Sequence, residues 1–113
     1  MVRGEIRLVA LDHGAGDDAT RPAVIVSNDG ANVMATRGQF GEVTVVSVTP
    51  DVEVVWRFQV LVPQDESGLT HDVKVQTEQV RSIPITQIKD WVGSVPARRM
   101  VDIDEALRFH LAL

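Results

Sequence analysis

Short runs rich in valine and isoleucine, bounded by turn-forming residues, recur along most of the chain. Runs of this length and composition are typical of strands rather than helices. Apolar and polar side chains alternate most strictly over residues 54–62, where Trp56 and Phe58 share a face and are expected to lie in the core. In chain order, the pattern predicts strands at residues 5–11, 23–26, 43–49, 54–62, 73–83 and 91–93.

Two segments follow a helical pattern instead. Residues 31–35 permit a short helix between strands, ending before Gly38. Near the C-terminus an apolar stripe with spacings of three and four residues predicts a helix packed on the sheet. The stripe consists of Met100, Ile103, Leu107 and Leu111. Several short strands, one short helix and one closing helix predict a mainly β fold, a small barrel or half-barrel, in one domain covering residues 1–113.

Composition excludes several classes of protein. The 113 residues contain no cysteine, which rules out disulfides, thiolate catalysis and cysteine zinc sites. No apolar stretch reaches the roughly 20 residues that a membrane helix needs, and the first residues lack the apolar block of a secretory signal. We therefore expect a cytoplasmic protein that does not enter a membrane. The net charge of −5 argues against a general polyanion binder, so any nucleic-acid site must be local.

A cation and a hydroxyl stand at the ends of two predicted strands. Arg21 precedes the strand at residues 23–26, and Thr49 closes the strand at residues 43–49. Both groups can donate hydrogen bonds to phosphate oxygens, and rigid strands can hold them in fixed geometry. By position alone, Arg21 could equally be a solvated rim residue, and Thr49 could simply be a good strand residue.

Other familiar chemistries lack their sequence motifs. His13, His71 and His110 show no close ligand spacing, so we expect no metal site. The chain has no G-x-S-x-G elbow and no glycine motif of a nucleotide-binding loop. The sequence therefore predicts neither acyl transfer nor a bound cofactor.

Taken in order, the segments of the chain resemble the MazF/PemK toxin family. The resemblance covers nearly the whole chain, and the series of segments in this order is more specific than any single motif. The segments are residues 3–6 (RGEI), 21–29 (RPAVIVSND), 43–49 (VTVVSVT), 58–60 (FQV), 78–82 (EQVRS) and the leucine-rich ending 104–113.

The resemblance implies an SH3-like β-barrel with appended helices, acting as a homodimer whose groove binds single-stranded RNA. It implies metal-independent, sequence-specific RNA cleavage, with Arg21 as the catalytic arginine and Thr49 as the catalytic hydroxyl. The ribose 2′-OH would attack phosphorus, which leaves a 2′,3′-cyclic phosphate and a 5′-OH. It further implies a MazE-like antitoxin that blocks the groove. The RNA-contact positions implied in this chain are Gln79, Glu78, Asn28 and Asp17.

The chain departs from the usual family pattern at several positions. Arg7, Arg57 and Pro50 stand where relatives usually have an aromatic residue, a proline and a serine. The loop before Arg21 carries Asp17 and Asp18 instead of basic residues, and these acids would repel phosphates. Two alternatives therefore stay open: a CcdB-like toxin that binds gyrase without catalysis, and a degenerate toxin that only dimerises and binds its antitoxin.

Overall fold

The computed structural model describes residues 1–10, 20–38 and 41–113. Strands dominate this part of the chain, and a 3₁₀ turn at Ile85–Gln87 joins the last two of them. The elements in chain order are β1 (Glu5–Ala10), β2 (Thr20–Ile25), α1 (Asp29–Thr36), β3 (Glu42–Thr49), β4 (Gln59–Val62), α2 (Gln64–Ser67), β5 (Val73–Pro84), β6 (Ile88–Ser94) and α3 (Ala97–Leu111).

The strands form one antiparallel sheet in the order β4-β5-β3-β2-β1-β6. The mainly β prediction with a short helix between strands and a C-terminal helix is confirmed. Within the described ranges β4 and β6 do not pair with each other, so the sheet is open rather than a closed barrel.

Two apolar clusters cover the two faces of the sheet. Neighbouring residues of β3 illustrate the division, because Val46 belongs to the cluster that includes Ile103 of α3, whereas Val45 belongs to the cluster that includes Ala35 of α1. The central strands are therefore buried on both faces. The burial predicted for residues 23–26 is confirmed for Ala23, Val24 and Ile25, whereas Val26 lies beyond β2 and is partly buried. Full burial of a valine or isoleucine side chain contributes about 1.5–3 kcal/mol.

The C-terminal helix packs part of its predicted stripe. Met100 and Ile103 are buried and Leu107 is partly buried against the sheet. Leu111, however, is 47% exposed, so its predicted burial is wrong. The most extensive contacts of α3 are with the short strand β4 and with β5, and a 15-residue helix of about 22 Å extends beyond these two strands.

The strand predicted at residues 54–62 is correct only in its second half. β4 begins at Gln59, and Trp56 is 58% exposed instead of lying in the core. The preceding backbone is held by side chains of β5: Lys74 Nζ donates to the Val54 carbonyl at 2.6 Å, and the Thr77 hydroxyl donates to the Phe58 carbonyl. Alternation in sequence predicted a strand here, but the backbone of residues 54–58 pairs with no strand in the described part of the chain.

Candidate active site

Arg21 of β2 and Thr49 of β3 lie near the same end of two neighbouring antiparallel strands. Ala23 pairs with Ser47 as the last pair of this ladder, and Arg21 and Thr49 each lie two residues beyond that pair. Both residues line one open cleft of about 340 Å³. The lining residues are Arg21, Pro22, Ser47, Val48, Thr49, Pro50, Gln76 and Gln79.

The guanidinium of Arg21 is exposed at this cleft. Its Nη1 donates to the neighbouring Thr20 carbonyl at 3.1 Å, and no carboxylate of the described residues forms an ion pair with it. A guanidinium carries five N–H donors, so this single contact leaves several donors for a ligand. An anionic ligand such as a phosphate matches this charge and geometry.

The hydroxyl of Thr49 is fixed by a local turn. Its Oγ1 accepts a hydrogen bond from the Asp51 amide at 3.2 Å. A hydroxyl has one hydrogen to donate as well as two lone pairs, and within the described ranges no acceptor is assigned to the Thr49 hydrogen. Thr49 can therefore donate to a ligand oxygen in the cleft while the turn holds it in place.

A bulge in β5 brings Gln79 to the same cleft. Val46 of β3 pairs with Val80, but the next residue, Ser47, pairs with Gln76. Three residues of β5, namely Thr77, Glu78 and Gln79, therefore have no pairing partner on β3. Bulges redirect side chains and are frequent beside active sites. Here the bulge leaves the Gln79 amide exposed at the cleft.

Two of the other predicted RNA contacts, Asn28 and Glu78, do not line this cleft. Asn28 is the N-cap of α1, with its Oδ1 accepting from the Ala31 amide at 2.8 Å. Glu78 turns toward β4, where its Oε2 accepts from Gln59 Nε2 at 2.8 Å. Asp17 lies outside the described residues. Arg21, Thr49 and Gln79 are thus the predicted residues that the structure brings together.

Sequence reasoning missed two polar residues of the cleft. Ser47 precedes Thr49 by two positions and so shares its face of β3, while Gln76 is the β5 residue paired with Ser47. The two-residue alternation of a strand could have identified Ser47. The position of Gln76 at the cleft became clear only from the pairing of β3 with β5.

An ion-pair cluster with shifted pKa values lies at the contact between α2 and α3. The Arg99 guanidinium hydrogen-bonds the Glu66 carboxylate and, with help from Arg98, lowers the pKa of that carboxyl. The same pair raises the pKa of Arg99. This ion-pair cluster serves to join the helices rather than to activate a group at the cleft.

The described part of the chain contains neither a metal-ligand cluster nor a membrane-spanning helix. Residues 1–10, 20–38 and 41–113 contain no group of three or more histidine, aspartate or glutamate side chains arranged to hold a metal ion. No helix within these ranges is long and apolar enough to cross a membrane.

Comparison with protein families gives a match along almost the full length. The family described as "PemK-like, MazF-like toxin of type II toxin-antitoxin system" matches residues 2–111. Among curated proteins, the Mycobacterium tuberculosis protein named Endoribonuclease MazF9 is 47% identical over 115 residues, which covers 100% of this chain and 98% of the relative.

Solved structures show the same fold at lower sequence identity. One, described as an endoribonuclease in complex with its cognate antitoxin from a mycobacterial species, is 24% identical with a TM-score of 0.78, covering 100% of this chain and 96% of that one. Another, the M. tuberculosis toxin MazF-mt6, is 23% identical with a TM-score of 0.76, covering 96% and 97%.

Proposed function

Because the chain belongs to the PemK/MazF family of type II toxins, we propose that it is an endoribonuclease that cleaves single-stranded RNA at the cleft between β2, β3 and β5. The observation that carries the proposal is the shared cleft of Arg21, Thr49 and Gln79, which combines a cation, a hydroxyl and an amide. The 47% identity to a protein named an endoribonuclease, over the whole chain, supports the same activity.

The proposed reaction is an internal transfer of the phosphodiester. The ribose 2′-oxygen attacks the adjacent phosphorus, the bond from phosphorus to the 5′-oxygen breaks, and the products are a 2′,3′-cyclic phosphate and a 5′-OH. One proton leaves the 2′-oxygen and one reaches the 5′-oxygen. DNA is not a substrate because it lacks the 2′-OH nucleophile.

In this proposal Arg21 and Thr49 stabilise the charge that develops on the phosphoryl oxygens. Donors fixed before the reaction lower the barrier because they need no reorganisation as charge develops. Arg21 forms bidentate hydrogen bonds with those oxygens, and Thr49 adds a single hydrogen bond. Proton transfer by Arg21 is secondary, since guanidinium groups stay protonated in proteins.

Gln79 is the proposed reader of an RNA base. An amide presents a donor and an acceptor side by side, which suits recognition of a base edge. Gln79 lies on an exposed bulge and lines the same cleft as Arg21, which supports a contact with a base beside the scissile phosphate.

The proposal includes the setting in which family toxins work. The active form is a homodimer in the cytoplasm, where messenger RNA is found, and a MazE-like antitoxin inhibits it by laying an extended segment across the cleft. A solved relative of the same fold is described as bound to its cognate antitoxin, which supports this partner.

The test is incubation of the purified protein with a long single-stranded RNA in excess EDTA, followed by mapping of the new ends. We expect cuts at a short recurrent sequence, with cyclic phosphate and 5′-OH ends. No cleavage, while the protein still binds its antitoxin, would favour the degenerate toxin. Inhibition of gyrase without RNA cleavage would favour the CcdB-like alternative.

A further inference from the structure

Gln59 and Glu78 connect the bulge of β5 to the segment before β4. Gln59 is 8% exposed at the start of β4. Its Oε1 accepts from the Trp56 amide at 3.1 Å, and its Nε2 donates to Glu78 Oε2 at 2.8 Å. One amide side chain therefore bonds to the backbone of the segment on one side and to the centre of the bulge on the other.

Two side-chain contacts hold the bulge. Its three residues have no paired residue on β3. The buried Thr77 hydroxyl donates to the Phe58 carbonyl, and the Glu78 carboxylate accepts from Gln59. Gln79 follows directly and is exposed at the cleft. The two residues that precede Gln79 are therefore both anchored to Phe58 and Gln59.

The Glu78 carboxylate is poorly suited to contact RNA. Its Oε1 is buried without a hydrogen-bond partner among the described residues, and its Oε2 accepts from Gln59. A carboxylate would also repel phosphate. Keeping a partly buried acid with one unsatisfied oxygen costs free energy, which suggests that the contact with Gln59 has a role beyond stability.

We propose that Gln59 and Glu78 are positioning residues that hold the bulge so that Gln79 faces the cleft and reads the RNA base. This inference rests on the proposed RNA cleavage and on Gln79 as the reader. In this proposal Glu78 acts by positioning Gln79 and does not itself contact RNA. It also gives Gln59, part of the FQV segment, a role in sequence selection.

The structure allows a test by charge placement. Gln59→Glu keeps the acceptor for the Trp56 amide but sets two carboxylates where the 2.8 Å hydrogen bond had been, and their repulsion displaces the bulge. Adding Glu78→Gln restores the hydrogen bond with the roles exchanged, because the amide at position 78 then donates to the carboxylate at position 59. The control is Gln64→Glu, which makes the same change at an exposed site on α2.

The measurement is kcat/KM at about pH 8 for the preferred cleavage sequence and for a sequence changed at one base. We expect Gln59→Glu to lower the value for the preferred sequence by about 10-fold or more, because small displacements of a positioned group cost up to about 100-fold. We expect the selectivity, which is kcat/KM for the preferred sequence divided by kcat/KM for the changed sequence, to fall in Gln59→Glu to the value of Gln79→Ala. The double variant Gln59→Glu/Gln79→Ala should have no lower selectivity. The double variant Gln59→Glu/Glu78→Gln should recover the wild-type selectivity.

A purely structural role would reduce the amount of folded protein and lower both rates equally. An unchanged ratio in folded Gln59→Glu, or a ratio that the double exchange does not restore, would overturn the inference while wild-type cleavage still supported the proposed function. Absence of wild-type cleavage would instead count against the proposed function. If Gln59→Glu does not fold, Gln59→Met removes both contacts and is expected to give the same loss of selectivity.

Discussion

The Lys74 ammonium donates a hydrogen bond to the Val54 carbonyl oxygen at 2.6 Å, and the backbone of Lys74 pairs with Thr49 across the β3–β5 ladder. The side chain is only 8% exposed, which is rare for a lysine. This contact holds the segment after Thr49 against β5, next to the cleft. A residue outside the cleft lining therefore supports the backbone that follows Thr49.

Replacing Lys74 tests this support. Lys74→Met keeps the aliphatic stem but removes the donor, so we expect a loss of about 1–3 kcal/mol in the free energy of unfolding, measured by urea denaturation. Lys89→Met is the control, because Lys89 is exposed and its ammonium donates to the nearby Thr86 carbonyl. An equal loss in both variants would contradict a special role of the Val54 contact.

Removal of the Arg21 guanidinium tests the proposed catalytic role. We expect Arg21→Ala to lower kcat by about 100-fold or more, since one stabilising donor contributes about that much. The free energy of unfolding should change by less than about 0.5 kcal/mol, because the side chain is exposed. Arg37→Ala, an exposed arginine at the end of α1, should leave cleavage unchanged. Normal cleavage by Arg21→Ala would refute the assignment.

The hydroxyl of Thr49 can be separated from its methyl group. Thr49→Val keeps the shape but removes the hydrogen bond, and we expect a clear fall in kcat with a stability loss of at most about 1 kcal/mol. Thr49→Ser retains the hydroxyl and should keep most of the activity. A strongly unfolded Thr49→Val, seen by circular dichroism, would show that the Asp51 contact is mainly structural.

Asn28 distinguishes an RNA contact from a helix cap. Asn28→Ala removes the acceptor for the Ala31 amide and should cost about 1 kcal/mol of stability, whereas Asn28→Ser keeps a good cap. If Asn28 acts only as a cap, thermal unfolding separates the two variants, and cleavage by the folded fraction is equal. Reduced cleavage by both variants would instead indicate contact with RNA.

The ion pair of Glu66 with Arg99 predicts a pH dependence of stability. The folded state lowers the pKa of this carboxyl below its ordinary value of 4.5, so the unfolded chain takes up the proton first as the pH falls. The stabilisation is therefore complete above about 4.5 and is lost as the pH drops through the lower folded-state value. Urea denaturation from about pH 6 to 3 should show a shallower decline for Glu66→Gln. The exposed Glu105→Gln should keep the wild-type slope.

Much of the candidate site was predictable because it depends on local order. Arg21 and Thr49 stand at the ends of apolar runs, and antiparallel pairing of those runs brings the two ends together. The approach of Gln79 was not predictable from periodicity, because a bulge of three residues leaves no mark in the alternation of side chains. Family resemblance named Gln79, and the pairing register explains why it lies beside Arg21.

The order of apolar and polar residues determined the mainly β character, the places of most strands and the presence of α3, since these follow from local spacing and turn chemistry. Only the tertiary structure decided which segments of alternating apolar and polar residues pair with a neighbouring strand. Residues 54–58 carry a strand pattern, yet β5 turns away in its bulge beyond Gln76, and Trp56 stays exposed. A strand needs hydrogen bonds from a neighbour, and the position of that neighbour depends on the whole sheet.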